Sequence, residues 1–215
     1  MNKARFIVIE GLDGAGSTTQ AGLLKGWFTS RNLRAQLTWE PTDGPVGSLL
    51  RLVLAGRVVN LPREGAASPP DEAVLALLFA ADRLDHLDNI VLPCLDQGIH
   101  VVSDRYYLSS YAYQTIDHGL DLGWVRQVNA RCRRPDLTVY LDVKPAECQR
   151  RMAAQGRHLE LYEELPKLEQ VYRNYLHIMD ALSQEGESIR MVDGEKPVQE
   201  IASIISKSVE KLLGE

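Results

Sequence analysis

Residues 6–20 read FIVIEGLDGAGSTTQ, an apolar β-branched run that leads into a glycine-rich turn and then into a helical pattern. Buried strands of parallel sheets have such apolar runs, and glycines permit a tight strand-to-helix turn. The pattern G-x-x-x-x-G-K-[ST] of a phosphate-binding loop is matched at Gly11, Gly16 and Thr18. Ser17 stands at the lysine position. The stretch therefore predicts a nucleoside triphosphate site that lacks its usual point charge.

Ser17 changes what this loop can supply. The lysine normally reaches the β- and γ-phosphates, and the hydroxyl that follows it, here that of Thr18, binds Mg²⁺. A serine donates one neutral hydrogen bond, and charge-assisted bonds are about twice as strong. Lys25 is not expected to substitute, because it lies about 12 Å further along the helix axis. Taken alone, the loop is equally compatible with a strand-to-helix turn that holds no ligand.

The composition is that of a soluble globular domain. The chain has 215 residues, 45% hydrophobic and 25% charged, which is enough for one domain with a sizeable core. The net charge of −5 argues against a general nucleic-acid binder. No apolar run approaches the ~18 residues of a membrane span. Cys94, Cys132 and Cys148 lack metal-binding spacing and favour a reduced, cytoplasmic setting.

Strand-like and helix-like segments alternate along the chain, which predicts an α/β fold with a parallel sheet covered on both faces. Apolar residues at helical spacing are expected to face the core, among them Val74, Leu77 and Leu84. Residues 56–72 read as a surface loop, and residues 149–164 as a mobile lid over phosphates or a solvated helix pair. The five predicted strands are 5–10, 34–38, 99–103, 137–142 and 188–192.

Charged residues follow two of the predicted strands. Asp104 and Arg105 come after strand 99–103, and Glu40-Pro41 closes strand 34–38. Ligands of open α/β sheets bind beyond the carboxyl ends of the strands, so these side chains are expected near the glycine-rich loop. Asp104 can hold Mg²⁺ or position Arg105, and Arg105 can clamp a phosphate with two parallel bonds. The alternative is a surface ion pair.

The predicted helix 73–92 carries Phe79 and Arg83, four residues apart and therefore on one face. An aromatic ring and an arginine at this spacing can stack on a nucleobase and bond its carbonyl edge. Tyr113 and Gln114 offer a further aromatic wall and an amide. A core phenylalanine with a surface arginine is the alternative for this helix taken alone.

Together these residues resemble the thymidylate kinase family of P-loop nucleoside monophosphate kinases. The resemblance spans nearly the whole chain and implies a three-layer P-loop fold with five parallel strands and a lid. The stretch from Asp104 to Gln114 is the most specific part, since it separates this family from adenylate and guanylate kinases. The family-like segments are 6–20, 40–41, 77–83, 104–114 and 134–143.

The resemblance implies a dTMP site at the edge of the sheet. Phe79 would stack on thymine, Arg83 would bond its carbonyl edge, and Arg105 would hold the dTMP phosphate. Asp13 would face the sugar and phosphate and, with Arg105, belong to the catalytic set. The remaining dTMP-binding positions implied by the resemblance are Glu40, Ser110, Tyr113 and Gln114.

The resemblance also implies a site for ATP with Mg²⁺. Thr18 and Asp104 would hold the metal, and Thr19 would lie near the α-phosphate. The loop around Asp193-Gly194 and the start of the lid are expected to contact adenine. The implied ATP-binding positions are Gly11, Gly14, Ala15, Gly16, Ser17, Thr18 and Thr19.

Members of the family differ in where their catalytic arginine lies. Some carry it in the loop, at the position of Gly14, so this chain is similar to the type that supplies arginine from the lid. Arg151 and Arg157 are the candidates. A homodimer is also implied by the resemblance.

The chain departs from the family pattern where cations normally hold phosphates. Besides Ser17, Trp39 replaces a common arginine before Glu40, and Gln155-Gly156 replaces a common arginine-glycine pair in the lid. The expected activity is phosphorylation of dTMP to dTDP with ATP, a step of dTTP biosynthesis. The alternatives are a kinase with another nucleoside monophosphate or donor, and a nucleotide-binding homologue with weakened or no catalysis.

Overall fold

Five parallel strands form the sheet of the computed structural model, which describes residues 3–59, 68, 70–116, 119–154 and 164–214. They are β1 Phe6–Gly11, β2 Ala35–Trp39, β3 His100–Asp104, β4 Leu137–Asp142 and β5 Ile189–Asp193. The strand order is β2-β3-β1-β4-β5. The α/β architecture predicted from the alternating segments is confirmed, and every predicted strand is present with its ends displaced by one residue or less.

Strand β1 lies at the centre of the sheet and is buried along its whole length. Ile7 lies opposite Val102 of β3 on one side and Leu137 of β4 on the other. Burial on both faces explains why β1 reads as a continuous apolar run. Because all strands are parallel, the loops after Gly11 and Asp104 leave the sheet at the same edge.

Helices cover both faces of the sheet. Residues Leu87–Val91 form a π-helical segment that joins the helices before and after it, so the predicted helix 73–92 is continuous and extends to Asp96. Within the described residues, no helix is long and apolar enough to cross a membrane. The helices are α1 Ser17–Ser30, α2 Pro45–Leu54, α3 Glu72–His86, α4 Leu92–Asp96, α5 Tyr107–Tyr113, α6 Leu122–Val128, α7 Pro145–Ala154, α8 Leu165–Gln184 and α9 Val198–Leu213.

Helix α3 faces the core only partly as predicted. Leu84 packs against the core, but Val74 is 46% exposed and Leu77 51% exposed, so the expectation that these two pack in the core is wrong. Besides apolar residues, the buried face carries polar ones such as Arg83 and His86. These side chains are satisfied by polar partners from β2 and beyond, which apolar spacing cannot reveal.

The two irregular stretches predicted from the sequence lie partly outside the described residues. Asp71 caps α3 by accepting a 2.8 Å hydrogen bond from the N–H of Ala73. The last residue of the predicted loop 56–72, Glu72, is therefore the first residue of α3. Of the predicted lid, residues 149–154 are the end of α7. Residues 155–163, with Arg157 among them, are outside the described residues.

Candidate active site

The glycine-rich turn after β1 forms a backbone cradle. Gly14 has a φ of 84° and Gly16 a φ of 99°, a left-handed conformation that favours glycine. A Cβ on Gly14 would lie 2.6 Å from the carbonyl oxygen of Cys148 in α7, so the loop also needs a small residue there. The N–H of Ala15 donates to the carbonyl of Leu12 over 3.0 Å and closes the turn. The loop therefore fits the phosphate-binding geometry predicted from its glycines.

Helix α1 begins immediately after this cradle, at Ser17. Its N-cap residue Gly16 offers no side-chain acceptor, and its first turn contains no acidic residue. The free N–H groups and the positive end of the helix dipole are thus available to an anion. Ser17 is only 7% exposed and contributes no charge. Anion binding at the N-terminus of α1 therefore depends on backbone groups.

Thr18 and Asp104 meet at the edge of the sheet. The Thr18 hydroxyl donates to Asp104 Oδ2 over 2.5 Å, which joins the start of α1 to the end of β3. Asp104 Oδ1 is buried and has no hydrogen-bond partner among the residues that the structure describes. A hydroxyl next to a carboxylate with a free oxygen is a donor set that Mg²⁺ favours. These two residues therefore fit a magnesium ion.

Arg105 follows β3 with a φ of 73°, an unfavourable conformation for a side chain other than glycine. Its Nη2 donates to Asp13 Oδ1 over 2.7 Å, and its Nη1 donates to Ser109 Oγ over 3.1 Å. Burial lowers the pKa of Arg105, but the combined attraction of Asp13 and of neighbouring titratable groups outweighs burial, so the pKa lies well above its ordinary value. The guanidinium is a permanent positive charge beside the glycine-rich loop. Strained residues of this kind cluster at functional sites.

Tyr113 fixes the other side of Asp13. The Tyr113 hydroxyl donates to Asp13 Oδ2 over 2.9 Å and accepts from the Asp13 N–H over 3.3 Å. The guanidinium carbon of Arg105 lies 5.4 Å from the centre of the Tyr113 ring. The loop, the residue after β3 and helix α5 are therefore linked through three side chains.

Arg83 is 1% exposed and lies in a buried polar network. It donates to Glu40 Oε2 over 2.8 Å, to Asn129 Oδ1 over 2.6 Å and to Ser110 Oγ over 3.1 Å. Burial lowers the pKa of Arg83, but the combined effect of Glu40 and of neighbouring titratable groups outweighs burial and raises it. Glu40 also contacts His86 Nδ1 at 3.0 Å. The network holds the guanidinium plane in one orientation on α3.

The two remaining residues of the predicted thymine site lie close by in the fold. Phe79 is half-buried and precedes Arg83 by one helical turn on α3. Gln114 follows α5 and is 2% exposed, and within the described ranges its Oε1 has no hydrogen-bond partner. A buried acceptor without a partner is unfavourable unless a ligand satisfies it.

A cleft of about 540 Å³ opens beside the loop and is lined by Thr18, Trp39, Glu40, Asp104 and Arg105. Arg51 of α2 lines it too, and donates to the carbonyl of Pro41 and to Asp43 Oδ1, each over 2.6 Å. The sequence reasoning missed Arg51, because it belongs to no motif and only the packing of α2 brings it to the cleft.

A second cleft of about 540 Å³ lies on the other side of the loop. Arg151 lines it and donates to the carbonyls of Ala15 over 3.3 Å and Gly194 over 3.1 Å, while its Nε bonds Glu147 Oε1 over 2.7 Å. Lys196, after β5, is a further cation at this cleft that the sequence reasoning did not name. The loop therefore lies between two openings, as a transfer between two ligands requires.

Comparison with known proteins gives a consistent answer. The family model described as Thymidylate kinase matches residues 9–205. The chain is 39% identical over 211 residues to a protein named probable thymidylate kinase from Pyrococcus horikoshii, which covers 97% of this chain and 98% of that one. A probable thymidylate kinase from Thermococcus gammatolerans is 40% identical over 207 residues, 96% of each chain. A thymidylate kinase from Clavibacter michiganensis is 37% identical over 213 residues, 97% of this chain and 95% of the relative. With its loop, its Asp104-Arg105 pair and these relatives, the chain belongs to the thymidylate kinase family.

Proposed function

We propose that residues 1–215 are one kinase domain that transfers the γ-phosphoryl group of ATP to dTMP and yields dTDP and ADP, a step toward dTTP. The observation that carries this is the position of Arg105, whose permanent charge lies between the glycine-rich loop and the cleft that Thr18 and Asp104 also line. The names of the relatives support the choice of substrate.

The donor phosphates are proposed to bind the loop. The N–H groups of Gly14 and of residues 16–19, together with the dipole of α1, would face the negative charge of these phosphates. Thr18 and Asp104 would hold Mg²⁺ at the edge of this loop, since no residue that the structure describes forms a hydrogen bond with Asp104 Oδ1. When bound with ATP, Mg²⁺ neutralises negative charge on the phosphates.

The acceptor is proposed to occupy the cleft beyond β3. Arg105 would bind the dTMP phosphate, and Asp13 and Tyr113 would keep its guanidinium aligned and face the sugar. Phosphoryl transfer depends mainly on positioning and charge stabilisation, so a guanidinium held on two sides is suited to it.

Thymine would lie between Phe79 and the polar network of Arg83. The contacts of Arg83 to Glu40, Asn129 and Ser110 use at most four of its five N–H donors. One Nη1 N–H therefore remains for a carbonyl of the base. The unpartnered Oε1 of Gln114 would accept from the ring N–H of thymine.

The charge missing at Ser17 is proposed to be replaced from several places. Arg151 is anchored on the loop through the carbonyl of Ala15, and Arg51 lines the acceptor cleft near Trp39, where family members often carry arginine. Arg157 remains a candidate lid arginine but lies outside the described residues.

We also propose a homodimer in the cytoplasm. Leu49 and Leu52 of α2 and Val74 and Leu77 of α3 are exposed on two helices that pack against each other. Exposed apolar side chains on neighbouring helices are typical of an interface. Sedimentation should give a dimer, and Leu77→Glu should shift it toward the monomer; a monomeric wild type would exclude this proposal.

The proposed reaction is tested by ADP release with dTMP, dUMP, dCMP, dGMP and AMP as acceptors. We expect dTMP to give the highest kcat/KM. Faster turnover of another acceptor would reassign the substrate. Binding of dTMP without any turnover would identify a nucleotide-binding homologue without kinase activity.

A further inference from the structure

Glu10 is a buried carboxylate at the end of β1, immediately before the glycine-rich loop, with a side chain that is closed off from solvent. Its Oε1 accepts from the N–H of Tyr106 over 2.9 Å and from the N–H of Ser109 over 3.3 Å. Its Oε2 accepts from Ser109 Oγ over 2.7 Å and from the hydroxyl of Tyr175 over 3.1 Å. Four donors from two different segments therefore converge on one carboxylate.

This arrangement suits an ionised carboxylate. An ionised carboxylate only accepts hydrogen bonds, and each oxygen of Glu10 already accepts two. A proton on either oxygen would force at least one of these bonds to break or reverse. Burial nevertheless disfavours the charge and raises the pKa of Glu10 to about 7, against the effect of its hydrogen bonds and of the Arg105 charge. Glu10 thus changes its charge near neutral pH.

Ser109 connects Glu10 to Arg105. Ser109 Oγ lies 2.7 Å from Glu10 Oε2 and accepts from Arg105 Nη1 over 3.1 Å. Its single hydrogen can therefore point to Glu10 while its lone pairs face the guanidinium. Ser109 Oγ also lies 2.9 Å from the Tyr175 hydroxyl. If Glu10 stopped accepting, the Ser109 hydroxyl would turn toward Tyr175, and the lone pairs that face Arg105 would change their orientation.

Arg105 needs such support because its backbone is strained and its other partner is exposed to ligand. Asp13 lies in the glycine-rich loop, and a bound phosphate would compete with it for the guanidinium. Glu10 lies behind the site and is shielded from ligand by the residues that bond it. The Glu10–Ser109 contact is therefore the support that persists when substrate binds.

We propose that Glu10 is a positioning residue which, in its ionised form, holds Ser109 and through it the guanidinium of Arg105 in the orientation that binds the acceptor phosphate. This inference rests on the proposed function, in which Arg105 binds dTMP. The charged and titratable groups that face Glu10 are Arg105 from the segment after β3 and Tyr175 from α8, with Tyr113 and Tyr140 packed against the Tyr175 ring.

The test compares dTMP binding by calorimetry in the wild type, Glu10→Gln, Ser109→Ala and the double variant. At about pH 8 each single variant should bind dTMP about tenfold more weakly, the effect of one charge-assisted hydrogen bond. The double variant should be no weaker than either single one, because both remove the same connection. Additive losses would show that Glu10 and Ser109 act separately and would overturn the proposal.

The pH dependence separates positioning from a purely structural role. The ratio of the dTMP affinity of the wild type to that of Glu10→Gln should fall toward one as the pH falls from about 8 to about 6, because Glu10 becomes protonated. Titration of dTMP itself cancels in this ratio. Tyr175→Phe removes one donor to the carboxylate and should raise the pKa of Glu10. In this variant, the change of dTMP affinity with pH should therefore occur at a higher pH than in the wild type. A ratio that stays constant with pH would contradict the inference.

Glu187→Gln is the matched control, since Glu187 accepts a 2.7 Å hydrogen bond from the Tyr107 hydroxyl outside the proposed site. It should bind dTMP like the wild type at every pH. Failure of the proposed function would look different, because the wild type itself would then fail to bind dTMP. Wild-type binding that Glu10→Gln leaves unchanged would overturn only the role of Glu10.

Discussion

Arg105 Nη2 lies 2.7 Å from Asp13 Oδ1, so the residue after β3 and the glycine-rich loop after β1 share one ion pair. The two residues are far apart in sequence but leave the same edge of adjacent parallel strands. The pair places a permanent positive charge where a donor and an acceptor phosphate would meet. Asp13 neutralises this charge in the structure, and a bound phosphate would take over part of the contact.

Removing the guanidinium should therefore weaken acceptor binding. We expect Arg105→Ala to bind dTMP about 100-fold more weakly, since it removes a preorganised charge from a site with little solvent. Calorimetric titration measures this directly. Arg126→Ala is the control, because Arg126 forms an exposed ion pair with Glu185 and should leave dTMP affinity unchanged. Equal affinity of Arg105→Ala and wild type would reject the assignment of Arg105.

Restoring the family lysine should mainly affect turnover. We expect Ser17→Lys to raise kcat by as much as ~10²-fold, the value of one preorganised charge-stabilising donor, with little change in dTMP affinity. The reason is that this position, at the start of α1, would face the donor phosphates of the proposed reaction. Steady-state kinetics with dTMP measures both quantities. An unchanged kcat would mean that other cations already supply this charge.

Loss of the Asp104 carboxylate should affect the metal more than the acceptor. We expect Asp104→Asn to need about tenfold more Mg²⁺ for half-maximal activity and for Mg²⁺-dependent ATP binding. Asp180→Asn is the control, since Asp180 is exposed on α8 and bonds Gln184. The metal assignment fails if both variants show the wild-type Mg²⁺ dependence.

Two neighbouring arginines on α7, Arg150 and Arg151, both line the second cleft and allow a matched comparison there. Arg151 bonds the carbonyls of Ala15 and Gly194, whereas the Arg150 side chain is 70% exposed and pairs with Glu147. Arg151→Ala should raise the KM for ATP and lower kcat, together about 10²-fold in kcat/KM, and Arg150→Ala should have a much smaller effect. Equal effects in steady-state kinetics would argue against a specific role of Arg151.

Glu10 should make folding stability depend on pH. Its pKa of about 7 in the folded protein exceeds the ordinary value of 4.5, so the folded state binds this proton more tightly than the unfolded state. The resulting stabilisation, at most about 3 kcal/mol, is fully present below about pH 4.5 and is lost as the pH rises through about 7. Denaturant unfolding should show the stability of Glu10→Gln rising relative to wild type over this range. Parallel curves would exclude the raised pKa.

This trend is opposite to the one expected for binding. Protonated Glu10 makes the fold more stable, whereas ionised Glu10 is needed to orient Ser109 and Arg105. A buried carboxylate with four donors is thus a case in which stability and substrate binding favour different charge states.

The strands and the phosphate loop could be predicted because their causes are local. The apolar run Phe6–Gly11 reads as a buried strand, and Gly14 and Gly16 occupy left-handed positions that their residue type favours. The same reasoning placed Asp104 and Arg105 at the loop, because parallel strands deliver their carboxyl ends to one edge.

The inner face of α3 could not be predicted in this way. Apolar spacing favoured Val74 and Leu77, but these are exposed. The buried face includes Arg83 and His86, whose partner Glu40 comes from another part of the chain. A buried arginine is stable only when such partners are present, and spacing within one helix carries no information about them.

The sequence by itself determined which candidate functional motifs the chain carries and on which elements they lie. These motifs are a glycine-rich loop, an aromatic-arginine pair on a helix, and an acid-arginine pair after a strand. These follow from backbone preferences and from the shared edge of a parallel sheet. Only the tertiary structure decided which side chains bond each other. Arg51 reaches the cleft beside β3, Arg151 reaches the loop, and Ser109 connects Glu10 to Arg105. Hydrogen bonds between such distant segments depend on distances and burial that no local sequence pattern encodes.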